Sequence, residues 1–79
     1  MIIGHNDVGY EPDTTPLEVG DLPTAHYILV EQAIQWFRPE LEGADATMTE
    51  LDLLGALRKI KTLRPGSKAL ICGRVFWIH

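Results

Sequence analysis

The segment ALICGRVFWI, residues 69–78, limits what this chain can become more than any other stretch. Its β-branched and aromatic residues, Ile71, Val75, Phe76, Trp77 and Ile78, favour a strand over a helix. Read as one strand over about 68–78, one face carries Ala69, Ile71, Gly73, Val75 and Trp77. The other carries Leu70, Cys72, Arg74, Phe76 and Ile78. A strand that is apolar on both faces has to be covered on both. With 79 residues in total, one layer of the same chain can cover one side, and something further must cover the other. Arg74, the one charge in the run, needs an acid or an exit to water.

The rest of the chain supplies two helices. Over about 22–38, Tyr27, Val30, Ala33, Ile34 and Phe37 fall in one arc at 100° per residue, with Leu29 and Trp36 at its edge. Ile28 is the exception, an apolar side chain among glutamines. Asp21 is the expected N-cap, and Pro23 is tolerated in the first turn because its missing N–H has no helical partner there. Pro39 biases Arg38 out of helical geometry, so the helix is expected to stop there. A second helix is expected over about 48–64. Thr47 and Glu50 match a capping box, and Leu53, Ala56, Leu57, Ile60 and Leu63 form its stripe. Leu51 and Leu54 lie off that stripe. Gly55, inside the helix, costs about 1 kcal/mol against alanine, which suggests a backbone passing close by. Pro65-Gly66 then supplies a type II turn pair.

Residues 1–23 read as an irregular acidic arm rich in glycine and proline, with short strand candidates at Met1–Ile3 and Leu17–Val19. The expected fold is therefore α+β in a single small domain, 1–79. The helix-loop-helix of 24–64 packs as a hairpin on a small sheet made by the C-terminal strand, 68–78, and the short N-terminal strands.

Charge is unevenly divided. Residues 1–24 carry −5, residues 25–55 carry −5, and residues 56–79 carry +6, within a net charge of −4. Such asymmetry points to partners, or to one part of the chain neutralising another. Arg58, Lys59, Lys61, Arg64 and Lys68 make a basic segment that could take nucleic-acid backbone or another anion, helped by turn amides near Gly66 and Ser67. The overall acidity opposes that alternative. Asp7, Glu11 and Asp13, with Tyr10 as an aromatic anchor, could instead dock on a basic protein surface.

Catalytic chemistry finds little material. Ser67 and Cys72 are the sole serine and cysteine, and neither has a base at a recognisable spacing. Cys72 in mid-strand reads as a core thiol. His26 lies in the first helix as a packed histidine with one hydrogen bond, and His5 with Asp7 lacks metal-ligand spacing. No cofactor, metal or enzymatic activity is expected. No leader or membrane-length segment is seen in the sequence, so a cytoplasmic protein is expected.

The apolar surplus decides the functional expectation. Ile28, Leu51, Leu54 and Phe76 exceed what a chain of this size easily buries, and such patches mark protein contact. We expect a non-enzymatic interaction module that regulates or inhibits a larger macromolecule. A homodimer is expected to form through the terminal strand or the Leu51/Leu54 face. Short acidic chains without motifs are common among phage and mobile-element inhibitors of host machinery, an analogy of type and not of residues.

Overall fold

The computed structural model describes residues 1–9, 14–41 and 48–79. Tyr10, Glu11, Asp13 and Thr47 lie outside them. The elements in chain order are β1 (Ile2–Asp7), β2 (Leu17–Glu18), α1 (Leu22–Leu41), α2 (Glu50–Lys61), β3 (Lys68–Ile71) and β4 (Arg74–Ile78). The four strands form one antiparallel sheet in the order β2-β1-β4-β3, and both helices pack against it. The α+β architecture expected from the sequence is the one observed, including the pairing of the N-terminal segment with the C-terminal strand.

The C-terminal run differs from its expected form. It is two strands joined by Cys72-Gly73, both at positive φ (48° and 79°). That is a two-residue type I′ turn, whose twist matches the flanking strands. The fold back reverses the parity of the run. Ala69 and Ile71 now share a face with Arg74, Phe76 and Ile78, because Ala69 pairs with Phe76 and Ile71 with Arg74. Cys72 is consequently exposed on the turn, not buried in a strand. The left-handed region suits asparagine far better than cysteine. Cys72→Asn should therefore raise stability by about 0.5–1 kcal/mol, read as a higher urea midpoint. A lower midpoint would show that the thiol itself supports the turn.

β1 occupies the centre of the sheet and is longer than the Met1–Ile3 candidate. Its residues alternate between the two faces. Ile3 pairs with Ile78, His5 with Phe76 and Asp7 with Arg74 on the helix side. The Met1 ammonium donates to the Val19 carbonyl at 2.9 Å, and the Val19 amide donates back to Met1 at 2.8 Å, which anchors the short edge strand β2.

Along α1 the buried residues are Ala25, Leu29, Ala33 and Phe37, a strict i, i+4 series. The stripe is rotated from the expected arc: Leu29 is at its centre, and Tyr27 is 68% exposed. Ala25 and Ala33 let the helix lie close to the sheet, while Tyr27 keeps its hydroxyl in water. Ile28 is half-buried against the core instead of standing free. The helix runs on through Pro39 to Leu41, where Leu41 gains partial burial and the Met48 amide satisfies the Glu40 carbonyl.

α2 buries Ala56 and Ile60, with Leu53 and Leu57 partly covered, as its periodicity predicts. Its cap is two residues later than the expected Thr47/Glu50 pair: Thr49 is the N-cap, and its hydroxyl and the Asp52 carboxylate exchange hydrogen bonds with each other's amides at 3.1 Å. Asp21 caps α1 in a similar way through the Thr24 amide at 2.8 Å. These backbone bonds hold both carboxyls below the ordinary value of 3.8. A depressed folded-state value stabilises above 3.8, and the contribution is lost as the pH falls below it. Helix content at a fixed urea concentration should thus drop between about pH 5 and about pH 3, and less so in Asp21→Asn with Asp52→Asn. An unchanged drop in the double variant would assign the acid sensitivity elsewhere.

Candidate functional site

The helix-side face of the sheet is fully used. Ile3, Phe76, Ile78 and Ile71 join Leu29, Phe37, Ala56 and Ile60 in one core. At the end of that core sits a polar cluster. The Arg74 side chain is 1% exposed and its guanidinium lies 3.4 Å from the centroid of the Trp36 ring. Its Nε–H donates to His5 Nδ1 at 2.7 Å and its Nη1 donates to Asp7 Oδ1 at 2.8 Å. Because Nδ1 accepts here, it carries no proton. The His5 ring stacks on Phe76 with centroids 5.1 Å apart and meets the edge of Trp36 at 5.7 Å. The acid that Arg74 required is supplied by the N-terminal segment, as its charge suggested. His5 and Asp7 both turn toward this cation.

The opposite face is built from the other parity: Ile2, Gly4 and Asn6 on β1, Val75 and Trp77 on β4, Lys68 and Leu70 on β3. Among the described residues no helix covers it. Gly4 is the platform on which the Trp77 ring lies: a Cβ at Gly4 would come within 2.4 Å of the indole. The indole N–H donates to Asn6 Oδ1 at 3.0 Å, which fixes the ring flat across the sheet. Ile2 and Leu70 are exposed, and Val8 follows them at the strand end. Asn6, Val8, Pro16, Lys68, Val75 and Trp77 line a shallow depression of about 740 Å³ on this face. An aromatic anchor with an aliphatic surround and a few polar groups at the rim is the composition of a protein-binding surface.

The expected interface residues are divided by the structure. Leu51 and Leu54 are exposed, at 79% and 52%, on the outer side of α2. Asp7 is exposed but bound to Arg74. Ile28 is half-buried, and Phe76 is fully buried, so Phe76 is not part of any open surface. The residues that replace it, Val75 and Trp77, were on the other face of the same run. The signal that could have found them is Gly73 read as a turn residue.

The basic segment disperses. Lys59 lines a groove with Leu70 and Cys72, Lys61 lines one with His26 and Tyr27, and Lys68 stands on the open sheet face. Arg58 and Arg64 are exposed, and among the described residues none of the five forms an ion pair. The turn amides cannot serve an anion. Ser67 donates to the Arg64 carbonyl and Gly66 to the Ile78 carbonyl, within a type II turn with Gly66 at φ 89°. The Ser67 hydroxyl is engaged with Arg64 as well. His26 Nε2 donates one hydrogen bond, to the Leu63 carbonyl at 2.7 Å, as a packed histidine would. Beyond its own helix turn, Gly55 has nothing among the described residues within 4 Å of where a Cβ would stand, so the close backbone expected there is not found among them. Among the described residues no group of three His, Cys, Asp or Glu could hold a metal, and no helix is long and apolar enough to cross a membrane.

Comparison with protein-family models, curated proteins and solved structures finds no match to this chain.

Proposed function

We propose that this chain is a small non-enzymatic protein-binding module that regulates or inhibits a larger macromolecular target through the open face of its sheet. The observation that carries this reading is the Trp77 indole, laid flat on Gly4 amid Ile2, Val75 and Leu70 with no helix over it among the described residues. A small domain gains little by holding a tryptophan on the wet side of its sheet unless a partner desolvates it. Rigid aromatic anchors of this kind carry most of the energy of the interfaces that use them. A compartment where the chain stays reduced, such as the cytoplasm, agrees with its single exposed thiol.

The test begins with a target isolated from native-host cells on the immobilised protein, followed by calorimetric titration. Trp77→Ala and Ile2→Glu should each weaken binding by about 2 kcal/mol, roughly thirtyfold in Kd. Circular dichroism should show both variants folded. Wild-type affinity in both would place the interface off this face.

The alternative, an anion or nucleic-acid site on Arg58, Lys59, Lys61, Arg64 and Lys68, is supported by the exposure of all five cations. Their dispersal over separate faces disfavours it. Labelled DNA or RNA at low salt should show no saturable binding. Tight binding that falls steeply with salt and weakens on Lys59→Glu or Arg64→Glu would reverse the order of the two readings.

A further inference from the structure

We propose that the protein forms a two-fold symmetric dimer in which the outer edges of β3 pair antiparallel and the two α2 helices meet beside them at Gly55. This edge adjoins the open face around Trp77 and shares Lys68 and Leu70 with it, but Gly55, Asp52 and Lys59 lie off that face, so variants there test the dimer apart from the binding reading.

The sheet order leaves β3 at a border. Ile71 and Arg74 close the two-residue turn, so the alternation of antiparallel bonding aims the backbone groups of Lys68 and Leu70 away from β4. Among the described residues nothing bonds them, and an unpaired edge is a template for another strand. α2 flanks this edge. Leu51, Asp52, Gly55 and Lys59 line one groove of about 300 Å³ with Leu70 and Cys72. A helix side carrying Leu51, Gly55 and two opposite charges over an open strand edge presents two layers at once, matching the two layers of the fold itself.

Two observations select a second copy as the occupant. Gly55 sits inside a helix, exposed, with empty space where its side chain would be. Glycine there weakens the isolated helix, and the missing side chain benefits only a body approaching from outside. The charge pattern supplies the second. Asp52 and Lys59 stand on the same side of α2, three residues before Gly55 and four after it. About a two-fold axis at Gly55, Asp52 of each copy faces Lys59 of the other, giving two reciprocal ion pairs. A parallel arrangement would place like charges together. The pattern is thus complementary to itself under the symmetry that closed dimers use.

Sedimentation of the intact chain over a wide concentration range should give a mass of twice 8.8 kDa. Gly55→Leu, which has room within its own chain and favours helix, should remain folded by circular dichroism and sediment as a monomer. Lys59→Glu alone should raise the dimer Kd at least about tenfold, as should Asp52→Lys alone with α2 shown intact by circular dichroism despite the lost cap, whereas mixing the two variants should restore dimers. A monomeric wild type at millimolar concentration overturns the proposal, and so does a dimer indifferent to Gly55→Leu. Mixed charge variants that fail to associate overturn the two-fold arrangement. Protection of the β3 edge amides from exchange only on adding the target would assign that edge to the target instead.

Discussion

Replacing Phe76 by alanine is expected to cost about 3–5 kcal/mol of stability and to lower the melting temperature by roughly 12–40 °C. The ring is fully buried at the middle of β4, stacked on His5 and 6.1 Å from Phe37. Truncation would remove its transfer free energy and open a cavity between sheet and α1 that neither layer can close without breaking the β1–β4 pairing. A domain of this length has a total stability of roughly 4–12 kcal/mol, so the loss is a large share of it. Thermal unfolding by circular dichroism is the measurement. Trp77→Ala is the informative contrast. It shares the strand and is larger, yet it lies on the open face, and its removal should cost much less stability than that of Phe76. If the two costs came out equal, or in reverse order, the parity of β4 given by its pairing with β1 would be wrong.

That parity is also where the sequence was least legible. The strand content of 68–78, the helices, the caps near Asp21 and residue 50, and the demand of Arg74 for an N-terminal acid all follow from local chemistry. Periodicity fixes which side of α2 is buried, because the stripe of Leu53, Ala56, Leu57 and Ile60 is longer than the competing pair Leu51 and Leu54. It does not fix α1. There, Tyr27 and Ile34 offer one apolar arc and Ala25 and Leu29 another, and the choice depends on how closely the helix can approach the sheet. The hairpin at Cys72-Gly73 was hidden because cysteine at a left-handed position is not a turn signal, and because both flanking strands are apolar. One missed turn exchanged the faces beyond it, so Phe76 was read as surface and Trp77 was left out. The basic segment misled for a related reason: at 100° per residue, neighbours in sequence point in different directions.

Arg74→Ala should cost about 3 kcal/mol, whereas Asp7→Ala should cost less than about 1 kcal/mol, although the two residues form one ion pair. The asymmetry comes from burial. Asp7 is 53% exposed, so water and salt screen its half of the pair, and truncating it opens the Nη1 end of Arg74 to the water that already reaches Asp7. Arg74 is 1% exposed, and its contribution rests on more than charge. The planar guanidinium covers the Trp36 ring, a contact that strengthens when water is excluded. Its Nε–H also satisfies a buried His5 nitrogen, which would lose that donor in the variant. Arg74→Lys should fall between the two, because an ammonium keeps the charge but neither the flat stack nor the fixed fork. Urea denaturation of the three variants checks the order. Equal losses for Asp7→Ala and Arg74→Ala would mean that the ion pair, and not the stack on α1, holds this end of the sheet. The difference matters for the surface above it. Arg74 ties β4 to β1 and to α1 at once, and Trp77 projects from the same strand to the other side. The stiffness of the open face therefore depends on a cation buried beneath it.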